Sequence, residues 1–135
     1  MKSMMDKDGK KDELRARTKA FALRVINLAE SLPNNGAGRV IKDQILRAGT
    51  SVGANYRAAK RAKSTPDFIS KMGTVEEEAD ETMYWMELIV ESGLMNENLV
   101  TTLYQEADEI LAMVVASIKT ARRTGNGERG TRKGE

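Results

Sequence analysis

The chain contains no cysteine and no histidine. Without thiols there is no disulfide framework and no thiol nucleophile. Without imidazole the commonest metal ligand is missing, and so is the side chain whose unperturbed pKa lies near neutrality. Aromatics are only 4% of the residues, too few for the Tyr- and Phe-rich strands of a typical sheet protein. No apolar run approaches the roughly 18 residues of a membrane span. Met1 to Leu14 is polar and charged, with no apolar targeting region, so the expected compartment is the cytoplasm. With acid–base and nucleophilic residues absent or uncombined, no catalytic site, no cofactor and no enzyme activity are expected.

What remains is charge and helix-forming residues. Charged residues make up 31% and the net charge is +2 over 135 residues, a length suited to one domain. The near-neutral total hides segregation. Residues 1–63 hold 15 Lys/Arg and 6 Asp/Glu, residues 64–112 hold 1 and 12, and residues 113–135 hold 6 and 2. Either a basic face awaits an anionic partner, or basic helices lie beside acidic ones and neutralise them.

Apolar periodicity predicts an all-α, antiparallel up-and-down four-helix bundle over residues 12–123, with disordered segments at 1–11 and 124–135. Helix 1, over about 12–32, carries Leu14, Phe21, Val25, Leu28 and Leu32 on one stripe. Pro33-Asn34-Asn35-Gly36 stops it. Helix 2, about 38–61, carries Ile41, Ile45, Ala48, Val52, either Asn55 or Tyr56, and Ala59. Its interior Gly49 and Gly53 each weaken it by roughly 1 kcal/mol relative to Ala, which a close-packed neighbour would offset. Ser51 and Asn55 are expected to hydrogen-bond across the bundle. Helix 3, about 66–92, starts at Ser64-Thr65-Pro66-Asp67 and buries Phe68, Met72, Val75, Ala79, Met83, Met86 and Val90. Helix 4, about 97–123, buries Leu99 or Val100, then Leu103, Ala107, Ile110, Val114 and Ile118.

Residues 44–55 (Gln-Ile-Leu-Arg-Ala-Gly-Thr-Ser-Val-Gly-Ala-Asn), with Arg61 to Met72, Val75 to Glu81 and Trp85 to Ile89, carry a resemblance. They are similar to the proteins encoded within intervening sequences of bacterial 23S ribosomal RNA genes, which look related to accessory proteins of diversity-generating retroelements. The resemblance spans about residues 14–120. It implies an antiparallel four-helix bundle assembled as a ring, typically a homopentamer. For the retroelement relatives it implies a basic surface against nucleic acid and a reverse transcriptase, and for most members it leaves the cellular role unassigned. One departure stands out. Many members follow the Asn with Ile-Ala-Glu-Gly, where this chain has Tyr56-Arg57-Ala58-Ala59.

Arg57, Lys60, Arg61 and Lys63 close helix 2; with Arg47, Lys42 and Arg39 they make a candidate phosphate-binding stripe for RNA or DNA. No base-reading motif accompanies them, so contact with the backbone is expected. Met83 to Val90 is apolar over most of its circumference, which points to a subunit interface at Trp85, Met86 and Ile89. The alternative function is a protein-interaction or scaffold module without nucleic-acid binding. The acidic run Glu76, Glu77, Glu78, Asp80, Glu81 lacks the histidines of di-iron bundles and any calcium-loop signature, so no metal site is assigned.

Overall fold

Each of the first three helices begins where a short polar side chain answers an unpaired backbone N–H. Asp12 accepts from the Arg15 N–H at 3.1 Å, Asn35 from the Gly38 N–H at 2.7 Å, and Ser64 from the Asp67 N–H at 3.1 Å. The computed structural model describes residues 12–133, with side chains described over 12–125. It consists of α1 (Glu13–Glu30), α2 (Gly36–Ala59), α3 (Thr65–Glu91) and α4 (Thr101–Lys133), with a single 3-10 turn at Glu97–Leu99 before α4. No strand occurs among the described residues. The expected arm at 1–11 lies outside them.

Helix ends are equally local. Gly93 adopts φ +79°, and Leu94 donates back to the Ile89 carbonyl at 3.0 Å. That left-handed closure favours glycine, and it ends α3 at the expected place. The Asn96 side chain accepts from the Asn98 N–H at 2.9 Å and opens the 3-10 turn. That turn swings Val100 into the core and leaves Leu99 67% exposed, which decides between the two.

The helices pack antiparallel around one core. The α1–α2, α2–α3 and α3–α4 seams are dense, and the α1–α4 seam is the sparsest. The expected stripes are buried with few exchanges. In α2 Tyr56 rather than Asn55 faces inward, and in α3 Ile89 is fully buried while Phe68 and Val90 are only partly so. Thr18 and Thr82 are buried polar residues that periodicity alone does not flag. Each donates to a carbonyl of its own helix, Thr18 to Arg15 at 3.3 Å and Thr82 to Glu78 at 2.7 Å. Burial therefore leaves no unmet hydroxyl.

One expectation needs correction. Ser51 and Asn55 do not bond across the bundle. Ser51 donates to the Arg47 carbonyl at 2.6 Å and Asn55 to the Ser51 carbonyl at 2.9 Å, both within α2. Half-buried positions one turn apart reach the preceding turn more easily than a neighbouring helix. The last helix, α4, runs past Ile118, the last core position among the described residues, to Lys133.

The glycines of α2 have the close neighbour their weakness demands. A Cβ on Gly49 would lie 2.6 Å from Val25 Cγ1, and one on Gly53 would lie 3.2 Å from Thr18 Oγ1. Val25 is β-branched and fully buried, so it cannot turn aside. Gly49→Ala should therefore lower stability by about 1–3 kcal/mol despite better helix propensity. Gly73 in α3 has nothing within 4 Å of its missing Cβ. Gly73→Ala should raise stability by about 0.5–1 kcal/mol. Urea unfolding of both variants checks the contrast, and a stabilised Gly49→Ala would mean that α1 and α2 are not this close.

Candidate nucleic-acid interface

Antiparallel packing brings the start of α1, the end of α2, the start of α3 and the end of α4 to one end of the bundle. Residues 12–20, 54–71 and 116–125 meet there and carry 11 Lys/Arg against 3 Asp/Glu. Gly125 of α4 lies beside Thr65 of α3, where a Cβ would sit 3.3 Å from the threonine methyl. The opposite end, from residues 27–44 and 84–105, carries 2 Lys/Arg against 5 Asp/Glu. The bundle is thus polarised along its length, with the acidic run of α3 between the ends.

This geometry divides the candidate stripe. Arg39 and Lys42 occupy the first turns of α2, with Arg39 about 27 Å from Arg57 along the helix. Lys42 pairs with Glu30 at 3.0 Å. Arg47 pairs with Glu78 at 3.4 Å and with Glu81. Charge neutralisation between α2 and α3 thus accounts for Arg47 and for part of the acidic run. Among the described residues, no cluster of acids is arranged to hold a metal ion. Lys60 lies 3.8 Å from Asp12. Arg57, Arg61 and Lys63 are exposed and have no carboxylate within 4.0 Å among the described residues. Lys119, Arg122 and Arg123 of α4 join them at the same end and are exposed or nearly so. They stand some sixty residues downstream of Arg57, so only the topology reveals the group.

The candidate subunit interface divides as well. Met86 and Ile89 are fully buried in the bundle and belong to its own core. Trp85 is half-buried, donates through Nε1 to Glu81 at 3.0 Å, and meets the Tyr84 ring edge-on at 5.1 Å between centroids. Tyr84 is 51% exposed.

The departure at Tyr56 has a structural role. Its buried phenol donates to Asp12 Oδ1 at 2.8 Å, tying the end of α2 to the cap of α1. Burial first, then the bond to Asp12, pushes the phenol pKa well above its ordinary value of 10.0. Folding thus favours the neutral phenol. Its contribution is complete below pH 10.0 and is lost as the pH rises beyond it. Melting temperature should fall more steeply above about pH 10 in the wild type than in Tyr56→Phe, which should be about 1 kcal/mol weaker at neutral pH. Parallel alkaline curves would remove Tyr56 from the account.

Along the sparse α1–α4 seam, Arg17 spans the gap. It donates to Glu106 at 2.7 and 3.0 Å and to Glu109 at 2.8 Å. The bonds from Arg17 hold the Glu106 carboxyl below its usual range, so this clasp's contribution is full above that range and is lost as the pH falls below it. Arg17 is a cation of the basic end that is spent on structure.

The 23S rRNA-intervening sequence protein model matches residues 10–116. No curated protein matches the chain. Among solved structures, a protein of unknown function from the S23 ribosomal protein family of Bacteroides thetaiotaomicron is similar, with 36% identity and a TM-score of 0.74. The alignment covers 78% of this chain and 98% of that one. No helix among the described residues is long and apolar enough to cross a membrane. Four helices in this order, a match over most of the chain and a structural relative of the same fold converge on one assignment: the chain belongs to the 23S rRNA-intervening sequence protein family.

Proposed function

We propose that this protein is a non-enzymatic, ring-forming four-helix bundle that binds RNA or DNA through its basic end. The observation that carries the reading is the group Arg57, Arg61, Lys63, Lys119, Arg122 and Arg123, gathered at one end and free of internal partners among the described residues. Such cations neutralise phosphates and release counterions without reading bases. Assembly would repeat the group around a ring, so that modest contacts add by avidity. The family resemblance supplies the expected pentamer, and the surface around Trp85 supplies a place for subunit contact. Equal steps along antiparallel helices bring Val40, seven residues before Arg47, to the level of Leu88, seven beyond Glu81. Val40, Tyr84, Trp85 and Leu88 then form an apolar patch on the outer side of α2 and α3.

Lysine acetylation footprinting with and without a labelled RNA duplex tests the contact surface. Lys63 and Lys119 should be protected while Lys42, at the far end of α2, reacts equally in both. Protection of Lys42 alone would move the surface to the other end. A second reading, a protein-interaction module without nucleic-acid binding, is favoured by the exposed Leu23, Val40, Tyr84 and Leu99. Unchanged reactivity at every lysine would select it.

A further inference from the structure

A groove of about 280 Å³ opens between the last turns of α3 and the start of α4, at the end of the bundle opposite the basic residues. Val90 and the Tyr104 ring, both half-buried, line its apolar part above the buried Met86 and Val100, and Glu87, Glu91 and Glu97 line its acidic part. Internal pairing does not account for these carboxylates. Among the described residues no lysine or arginine lies within 4.0 Å of any of the three. Glu87 only accepts the Tyr104 phenol at 2.8 Å, a bond that raises the phenol's pKa.

Helix preference accounts for Glu97, in the first turn of the 3-10 helix, but not for Glu87 and Glu91. The last turn of α3 contains no basic residue. Glu87 and Glu91 sit instead beside the negative end of the helix dipole, where carboxylates are locally unfavourable. A cation supplied from outside would offset both charges. The apolar lining suits the methylene stem of lysine or arginine, or an apolar neighbour beside it, and the Tyr104 ring adds a face for the cation. The groove lies at the bottom of the roughly 300–1,000 Å³ range of sites that enclose a small molecule, and it is open along one side. It matches side chains projecting from a docked segment, and two flanking helices offer the bed for a third.

We infer that this groove docks a basic amphipathic helix of a protein partner, with a lysine or arginine among Glu87, Glu91 and Glu97 and an adjacent apolar side chain over Val90 and the Tyr104 ring. The inference is independent of nucleic-acid binding, which uses the other end of the bundle.

The test uses the full chain and a fluorescein-labelled, capped helical peptide with lysines along one edge and leucines along the other. Anisotropy should report saturable binding. Glu87→Gln with Glu91→Gln should weaken it by at least about tenfold. Glu76→Gln with Glu77→Gln, further back along the same helix, should weaken it by less than about twofold, because those acids lie several turns from the groove. The first pair should also raise the melting temperature, since it removes charge from the wrong end of α3, so a folding defect cannot mimic the loss. Absence of binding to the wild type would overturn the inference, as would equal weakening by both pairs, which would mean diffuse acidity. Displacement of the labelled peptide by spermidine as readily as by unlabelled peptide would overturn it in favour of a free polyamine.

Discussion

Ile89→Glu should unfold the protein, whereas Trp85→Glu should leave a folded chain of lower assembled mass. The two positions are four residues apart in one apolar run, yet their surroundings differ. Ile89 is fully buried within the bundle. A glutamate there would bring an unpaired carboxylate into the core and remove an aliphatic side chain, at a loss of more than about 4 kcal/mol. Domains of this kind are stable by only about 5–15 kcal/mol, so little of the fold would survive. Trp85 is half-buried on the outer side, with Tyr84 against it and Glu81 accepting its indole N–H. A glutamate there faces solvent in the isolated chain but would face apolar surface in an assembly. Circular dichroism with multi-angle light scattering reads both effects. Helicity should collapse only in Ile89→Glu, and molar mass should drop in a helical Trp85→Glu. A helical Trp85→Glu of wild-type mass would place the subunit contact elsewhere, with Leu23 and Ile26 on α1 the next apolar surface to test.

Arg57→Glu with Arg61→Glu should abolish nucleic-acid binding while leaving the melting temperature within a few degrees of the wild type. Both residues are exposed, Arg57 in the last turn of α2 and Arg61 in the turn that follows it, and neither closes an ion pair among the described residues. Reversal converts two phosphate contacts into repulsions. Replacement by glutamine is gentler and should reduce the salt slope of binding by about two units, one for each lost contact. Arg122→Glu with Arg123→Glu should weaken binding in the same direction, although these residues lie on another helix. Arg47→Gln gives the opposite pattern. Its guanidinium is held by Glu78 and Glu81, so stability should fall slightly and binding should hold. Equal loss from Arg47→Gln and from the Arg57 and Arg61 pair would return the contact surface to the whole length of α2.

The helices were legible because their apolar residues recur at helical spacing and their caps are local. Ser64, Asn35 and Gly93 each act within a few residues of themselves, so no tertiary knowledge is needed to read them. The small residues of α2 likewise announce a close neighbour, and Val25 and Thr18 of α1 supply it. What periodicity does not contain is the register between helices. Which acids of 76–81 meet Arg47 depends on how α2 slides against α3. A run such as 83–90, apolar nearly all round, loses the contrast that separates inside from outside, so Met86 and Ile89 looked as available as Trp85. By sequence alone Lys119, Arg122 and Arg123 suit the negative end of their own helix, and only the antiparallel topology sets them at the end shared with Arg57. Spacing alone leaves Asn55 and Tyr56 as alternatives for the buried face, and the bond from Tyr56 to Asp12 spans 44 residues of sequence.

The most direct test of the central claim, that the basic end binds nucleic acid, is anisotropy of labelled single- and double-stranded RNA and DNA, titrated with nuclease-treated protein across a range of salt. The account predicts binding that weakens linearly in log–log form as salt rises, with a slope equivalent to several phosphate contacts. Absence of binding at about 50 mM salt, or binding indifferent to salt, would contradict it.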